Sequence, residues 1–211
     1  MKKFGAGERI GGGSDNDVHE DSNNPNRVIA IRKEGKEDTE DRERKIKARF
    51  YLKKILHILF PQNIPDVDLA TSNPQATRRE RVILDPLHQS IQHAGELEAK
   101  LGEIPKEAYL KASDASDKIY EDPKYKQLIG SLEELGVEID TTTCNFTYSE
   151  NGDALIYLDD VHLEDADWQT KNPRGFDEEK LEAAISKIAD ERQQERATIY
   201  LDRLKALTLA K

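Results

Sequence analysis

Near the start of the chain the apolar residues stand apart, at Ile10, Val18, Val28, Ile29 and Ile31, with glycines and asparagines between them. This pattern predicts two or three antiparallel strands over 8–34, turning at Asn23-Asn24-Pro25-Asn26, because Asn and Pro supply turn conformations that strands avoid. From 38 to 60 the period lengthens. Ile46, Phe50, Leu52, Leu56 and Leu59 fall near helical spacing, and Pro61 stops the predicted helix. Segments 64–70 and 78–84 read as strands, the second through the apolar run Val82-Ile83-Leu84 before Asp85-Pro86.

Beyond Pro86 helical spacing returns over 86–101, 105–120 and 123–135, broken by Gly102, Pro105 and Pro123. Residues 137–140 and 154–161 return to strand-like patterns. A turn at Asn151-Gly152-Asp153 gives the Asn-Gly signal of a hairpin. A long helical tail follows from Asp177 to about Leu209. The order is strands, helix, strands, helices, hairpin, helix. It predicts an α+β fold with a sheet-rich lobe over 1–84 and a helix-rich lobe over 85–211.

Composition narrows the classes of function. Of 211 residues, 36% are hydrophobic and 35% charged, so the core should be thin and the helices heavily solvated. The net charge of -10 opposes a phosphate backbone, and no nucleic acid partner is expected. A single nucleotide is not excluded, because local amides and a metal outweigh global charge at that scale. The lone cysteine, Cys144, allows neither an internal disulfide nor a cysteine-based zinc site, and reads as a small buried filler in a reducing compartment. No run approaches the ~20 apolar residues of a membrane span. Met1 to Gly13 lacks the apolar segment of a signal peptide. The expectation is a cytoplasmic protein without a membrane partner.

Three segments carry candidate chemistry. Ile10-Gly11-Gly12-Gly13-Ser14-Asp15-Asn16-Asp17-Val18 is a glycine-rich turn between strands, where backbone amides can approach phosphate oxygens; equally, it has the composition of a flexible linker. Asp140-Thr141-Thr142-Thr143-Cys144-Asn145 offers an acid and, five residues on, an amide. Asp159-Asp160-Val161 ends the second hairpin strand. Converging carboxylates and amides would suit Mg²⁺, which takes one or two carboxylates together with phosphates. Each acid taken singly also reads as a turn carboxylate or a helix cap.

In this order and spacing the segments resemble the protein-kinase-like superfamily, which includes protein kinases and aminoglycoside-type small-molecule phosphotransferases. Gly11, Gly13 and Val18 keep the register of G-x-G-x-x-G-x-V, with Asn16 where the third glycine belongs. Asp140 and Asn145 match D-x-x-x-x-N, and the following hairpin delivers Asp159. The resemblance implies a two-lobed kinase-like fold, with an antiparallel-sheet N-lobe and a reduced helical C-lobe. It also implies ATP and Mg as cofactors. In that reading Asp140 orients or deprotonates an attacking hydroxyl, Asn145 and Asp159 hold Mg²⁺, and the glycine turn covers the phosphates.

The third strand, Val28-Ile29-Ala30-Ile31-Arg32-Lys33, departs from the family's V-A-I-K. Aligned on Ala30, Arg32 takes the lysine's place. Lys33 then points to the other face unless a bulge intervenes. In a shifted alignment Ala30 itself holds the position and the cation is missing. Glu43 lies on one helical face with Ile46 and Phe50, placed to meet a strand cation, with Glu40 as the substitute. Glu138-Ile139 replace His-Arg before Asp140, Asp160-Val161 replace Phe-Gly after Asp159, and no Ala-Pro-Glu follows. Two functions therefore stay open: a minimal phosphotransferase acting on a hydroxyl of a small molecule or peptide, and a catalytically inactive pseudokinase that regulates or scaffolds. An α+β interaction domain without a ligand is the third reading.

Other features read as structural. His57, His88, His93 and His162 are scattered, without zinc spacing, and Trp168 reads as an anchor in a polar surface stretch. The final helix carries Leu181, Ala184, Ile185 and Ile188, then Ile199, Leu201, Leu204 and Leu207, with Asp190–Arg196 polar between them. Both ends can pack on the second lobe, or the helix can pair with a partner protein.

Overall fold

A computed structural model describes residues 5–12, 16–33, 39–70, 73–160 and 176–209. Strands β1 (Ala6–Gly12), β2 (Asn16–Asp21), β3 (Arg27–Arg32), β4 (Val67–Leu69) and β5 (Ala76–Glu80) form an antiparallel sheet in the order β1-β2-β3-β5-β4. Helix α1 (Thr39–Leu59) lies between β3 and β4 in the chain. The alternation of side chains gives the sheet two faces. Ile29 and Ala76 join Ala70 in a small cluster, while Ala30 is buried on the face that looks towards α1. The protein is α+β, as the element order predicts.

The run Val82-Ile83-Leu84 is not part of a strand, and Ile83 is 62% exposed. Pairing with β3 starts six residues earlier in β5 and ends at Glu80 opposite Arg27, where β3 itself begins. The apolar run therefore has no strand to pair with and serves as the connection into α2 (Pro86–Leu101). Asp85 caps that helix, accepting from the amides of Leu87 at 2.7 Å and His88 at 3.3 Å. Its other carboxylate oxygen accepts from the Thr147 hydroxyl at 2.6 Å and the Tyr148 amide at 2.7 Å, which ties α2 to the hairpin.

Helices α3 (Lys106–Glu121) and α4 (Pro123–Glu134) follow, α4 capped by Asp122. Gly136 then takes the left-handed conformation, φ 66°. Residues 137–140 do not form the predicted strand. Val137 is buried in the core, and the hairpin instead pairs β6 (Phe146–Tyr148) with β7 (Leu155–Tyr157). Three-residue strands are too short to show a period in sequence.

The predicted single helical tail is two helices, α5 (Glu178–Ile185) and α6 (Glu191–Leu209). The polar stretch is the reason. Asp190 caps α6 by accepting from the Gln193 amide at 2.9 Å, and the Gln194 side chain donates to the carbonyls of Ile185 and Ser186 that end α5.

The main core crosses the boundary expected near residue 84. It joins Leu52, Ile55 and Leu56 of α1 to Leu128 and Leu132 of α4, Phe146, Leu155 and Tyr157 of the hairpin, Leu181 and Ile185 of α5, and Ala197, Leu201 and Leu204 of α6. Helix α6 lies along α1, where Tyr200 stacks on Tyr51 with ring centroids 6.0 Å apart. Of the apolar residues expected to pack on a second lobe or a partner, Leu181 and Ile185 of α5 and Leu201 and Leu204 of α6 are buried in this core, while Ile199 stays 43% exposed. Cys144 is exposed rather than a buried filler, because the neighbouring Thr143 takes the interior position of that turn. No described helix is long and apolar enough to cross a membrane.

Candidate functional site

A cleft opens between the sheet and α1, and three periodicities line it. In β3, Ala30 and Arg32 alternate onto its wall; in β5, Thr77 and Arg79 do the same, with Thr77 paired opposite Ala30. Helix α1 presents Ile46, Arg49, Phe50 and Lys53, which three- and four-residue spacing puts on one face. Asn16 opens β2 opposite Arg32, and Asp160 enters from the end of the hairpin.

Asp160 is the centre of this arrangement. Arg79 Nη2 lies 2.8 Å from its Oδ2, Lys53 Nζ 3.5 Å from its Oδ1, and Asn16 Nδ2 donates to Oδ2 at 3.4 Å. The Tyr157 hydroxyl donates to its carbonyl at 3.0 Å. Burial by itself would raise this carboxyl, but the charges of Arg79, Lys53 and Arg49 outweigh burial and hold it well below the usual carboxylate range. Lys53, whose side chain is 3% exposed, is lowered from 10.5 to about 8 by burial and by the Arg79 charge, with Asp160 and Asp159 opposing.

Asp159 differs from its neighbour. Burial, and then the Asp160 charge, raise its carboxyl, while the Asp160 amide, Arg79 and Lys53 work against the shift. Asn145 ties the two halves of the arrangement together. Its amide side chain donates to the Asp140 carbonyl at 3.3 Å, and its own carbonyl accepts from Leu158, the residue before Asp159, at 2.8 Å. The Asp140 carboxylate accepts from the Thr142 amide at 2.8 Å and the Thr142 hydroxyl at 2.5 Å. Burial, with Asp159, Asp160 and Asp140 near, pushes the Tyr157 phenol far up. The Cys144 thiol, although its residue is exposed, is raised by partial desolvation under the surrounding loop and then by Asp140 and Asp159. Both groups feel both acids, so Asp140 and Asp159 share one neighbourhood.

The remaining sequence candidates divide. Ala30 and Arg32 line the cleft, and the β2–β3 pairing is regular, so no bulge turns Lys33 inward; Lys33 lies 3.7 Å from Asp17. Gly11 is half-buried opposite Val18 at the end of β1. Glu43 is half-buried, with its carboxylate 3.8 Å from Lys47 on its own helix, and Glu40 is exposed. Gly13, Ser14, Asp15, Val161, His162 and Trp168 lie outside the described residues. His57 and His88 have structural partners: the ring Nδ1 atoms lie 2.7 Å from the Ile64 carbonyl and 2.8 Å from the Phe146 carbonyl.

Sequence reading missed Arg49, Lys53 and Arg79. The available signal was the i, i+4 pair Arg49 and Lys53 interleaved with Ile46 and Phe50, which sets two cations on the edge of an apolar stripe. Among the described residues no three His, Cys, Asp or Glu side chains gather as a metal cluster. Asp159 and the neighbouring Asn145 loop are the oxygen donors that could hold a hard cation, although the raised Asp159 carboxyl works against it. The chain matches no family model and no curated protein.

Proposed function

We propose that this is a kinase-like nucleotide-binding protein that transfers the γ-phosphate of ATP to a hydroxyl of a small molecule or peptide. The observation that carries the reading is the Asn16–Asp160 contact at 3.4 Å, which sets the first residue of β2 against the end of the hairpin that carries Asp159. Support also comes from the order of elements: an antiparallel sheet with one long helix, then helices, then a hairpin, as the resemblance implies for a two-lobed fold.

ATP with Mg²⁺ would supply the phosphoryl group and the charge that polarises it. Asp140 would accept the proton of the attacking hydroxyl, which requires its carboxylate to turn from Thr142. Asn145 and Asp159 would hold the cation. Arg32, on the cleft wall, would take the place of the strand lysine with a planar fork instead of a point charge.

A specific observation favours a second reading, an inactive pseudokinase. The Asp140 carboxylate is engaged within its own loop, and Asp160 is neutralised by Arg79 and Lys53. Melting the protein with and without Mg-ATP separates these readings. At about a hundred times its dissociation constant a ligand adds ~2.7 kcal/mol, a shift on the order of 5–10 °C for a chain of this size. No shift at millimolar Mg-ATP removes both nucleotide readings. A shift lost in Asp159→Ala, with transfer lost in Asp140→Ala, supports the enzyme. A shift without turnover supports the pseudokinase.

A further inference from the structure

The run Val82-Ile83-Leu84 has the composition of a strand, yet neither β3 nor β4 extends beside it. The pairing of β5 ends at Glu80, and the Arg81 amide makes one last bond to the Asn26 carbonyl at 2.9 Å. Beyond it, the amides and carbonyls of Val82 and Ile83 have no hydrogen-bond partner among the described residues. Both side chains stand outside the two core clusters, and Ile83 is 62% exposed. They line an open groove of about 550 Å³, within the roughly 300–1,000 Å³ of ligand pockets. Ile156 lines it too: β7 sends Leu155 and Tyr157 into the core, so alternation turns Ile156 outward.

A main chain left bare beside apolar side chains is a template for another chain. Water can satisfy its amides, but water does not cover Ile83 at any gain. An extended peptide does both. Its main chain pairs with the free amides and carbonyls, and its alternate side chains rest on Ile83 and Ile156. Charge narrows the kind of peptide. Glu80, Arg81 and Glu150 line the groove. Arg81 is drawn to Glu20 of β2, 3.5 Å away, so its charge is already answered. Glu80 accepts from the Asp66 amide at 3.3 Å, and neither Glu80 nor Glu150 has a cation partner among the described residues. Two carboxylates therefore border the groove without a counter-charge, and the net charge of -10 adds to the pull on a basic partner.

We infer that this groove is a docking site for an extended segment of a partner protein, one that carries lysine or arginine beside alternating apolar residues. Val82 and Ile83 supply the main-chain pairing, Ile83 and Ile156 the apolar contact, and Glu80 and Glu150 the attraction for the basic residues. The groove shares no lining residue with the cleft around Asp160, nor does it include Asp140, Asn145 or Asp159, so docking there does not require a nucleotide.

The test is fluorescence polarisation of the full chain with a set of short labelled peptides, each with Lys or Arg flanking a core in which Val or Ile alternates with Thr. Saturable binding in the micromolar range is expected, weakened at least ~tenfold when Glu replaces the basic residues of the peptide. Ile83→Arg, at an exposed position, should weaken it by a similar factor. If circular dichroism shows that Ile83→Arg fails to fold, Glu150→Lys in the exposed hairpin turn serves, with weakened binding again expected. Methylating alternate peptide nitrogens removes the donors that pair with the groove and should abolish binding. Absence of saturable binding to any basic peptide overturns the inference. So does equal binding in a folded variant, or indifference to methylation, which would leave only a general attraction of opposite charges. Sedimentation of the full chain alone tests the other occupant: a dimer that Ile83→Arg dissociates assigns the groove to a second copy and overturns the peptide site. Peptide binding without an Mg-ATP melting shift overturns the nucleotide reading and leaves the groove standing; an Mg-ATP shift without peptide binding does the reverse.

Discussion

Replacing Asp160 by Asn keeps the side-chain shape and removes one charge, so it isolates the electrostatic contribution of the cluster. Lys53 is 3% exposed, Arg79 14% and Asp160 18% at their side chains, so the pairs are shielded from solvent screening. Removing one partner of a buried ion pair typically costs about 3–5 kcal/mol, because the remaining charge is left without compensation. Two effects hold the cost near the lower end. The Asn oxygen can still accept from Arg79, and Lys53, already lowered to about 8, can shed its proton once Asp160 no longer opposes the shift. The expected loss at pH 7 is about 3 kcal/mol. At 2–4 °C per kcal/mol for a chain of this length, the melting midpoint falls by about 6–12 °C. Urea unfolding followed by circular dichroism should show a lower midpoint at unchanged slope. The cost should shrink towards pH 9, where Lys53 of the unaltered protein is itself largely neutral. A loss below about 1 kcal/mol, or one that does not change between pH 7 and 9, refutes the view that paired buried charges anchor the hairpin to the sheet and helix.

Further outcomes follow from the same contacts. Folded Lys53 releases its proton near pH 8 while the unfolded chain holds it to about 10.5. The unfolded state binds more protons in that window, so stability rises with pH there, by about 3 kcal/mol in all; urea titrations compared with Lys53→Met should show this rise in the unaltered protein alone. Asp85→Ala removes a helix cap and the bonds to Thr147 and Tyr148, and should cost about 3 kcal/mol in a urea midpoint assay. Burial opposes, but these bonds hold the Asp85 carboxyl below its ordinary value, so its contribution is present above that value and lost as pH falls through the depressed one. Gly136→Ala should cost about 2–5 kcal/mol by the same assay. It forces a side chain into φ 66° and puts a Cβ 2.3 Å from the Asp177 Cβ, at the cap of α5.

The long elements were legible because their residues repeat. Helix α1 was readable from Ile46 to Leu59, and Pro86 and Pro123 marked the starts of α2 and α4. The hairpin's Asn-Gly turn was readable, but not its first strand, since Phe146-Thr147-Tyr148 has no room for a period. Val82-Ile83-Leu84 misled because apolarity alone does not supply a pairing partner. The break between α5 and α6 was visible as the polar stretch 190–196, but the caps by Asp190 and Gln194 depend on contacts that no spacing shows. In the candidate site Asp140 and Asp159 could be picked out because they sit in turns whose short separations resemble a known motif. The cations were missed for the opposite reason. Arg49, Lys53 and Arg79 look like ordinary charges on amphipathic elements until the fold turns those faces towards Asp160.

The packing of α6 along α1 has a consequence for how the molecule is made. The helix that forms one wall of the cleft leaves part of its apolar side uncovered until the helix farthest from it in sequence arrives, with the other described helices made in between. Such distant closure slows folding and leaves a sticky surface uncovered during synthesis. The cleft is thus among the last features to be fixed, and a shortened chain lacking α6 would be prone to aggregate before its site could form.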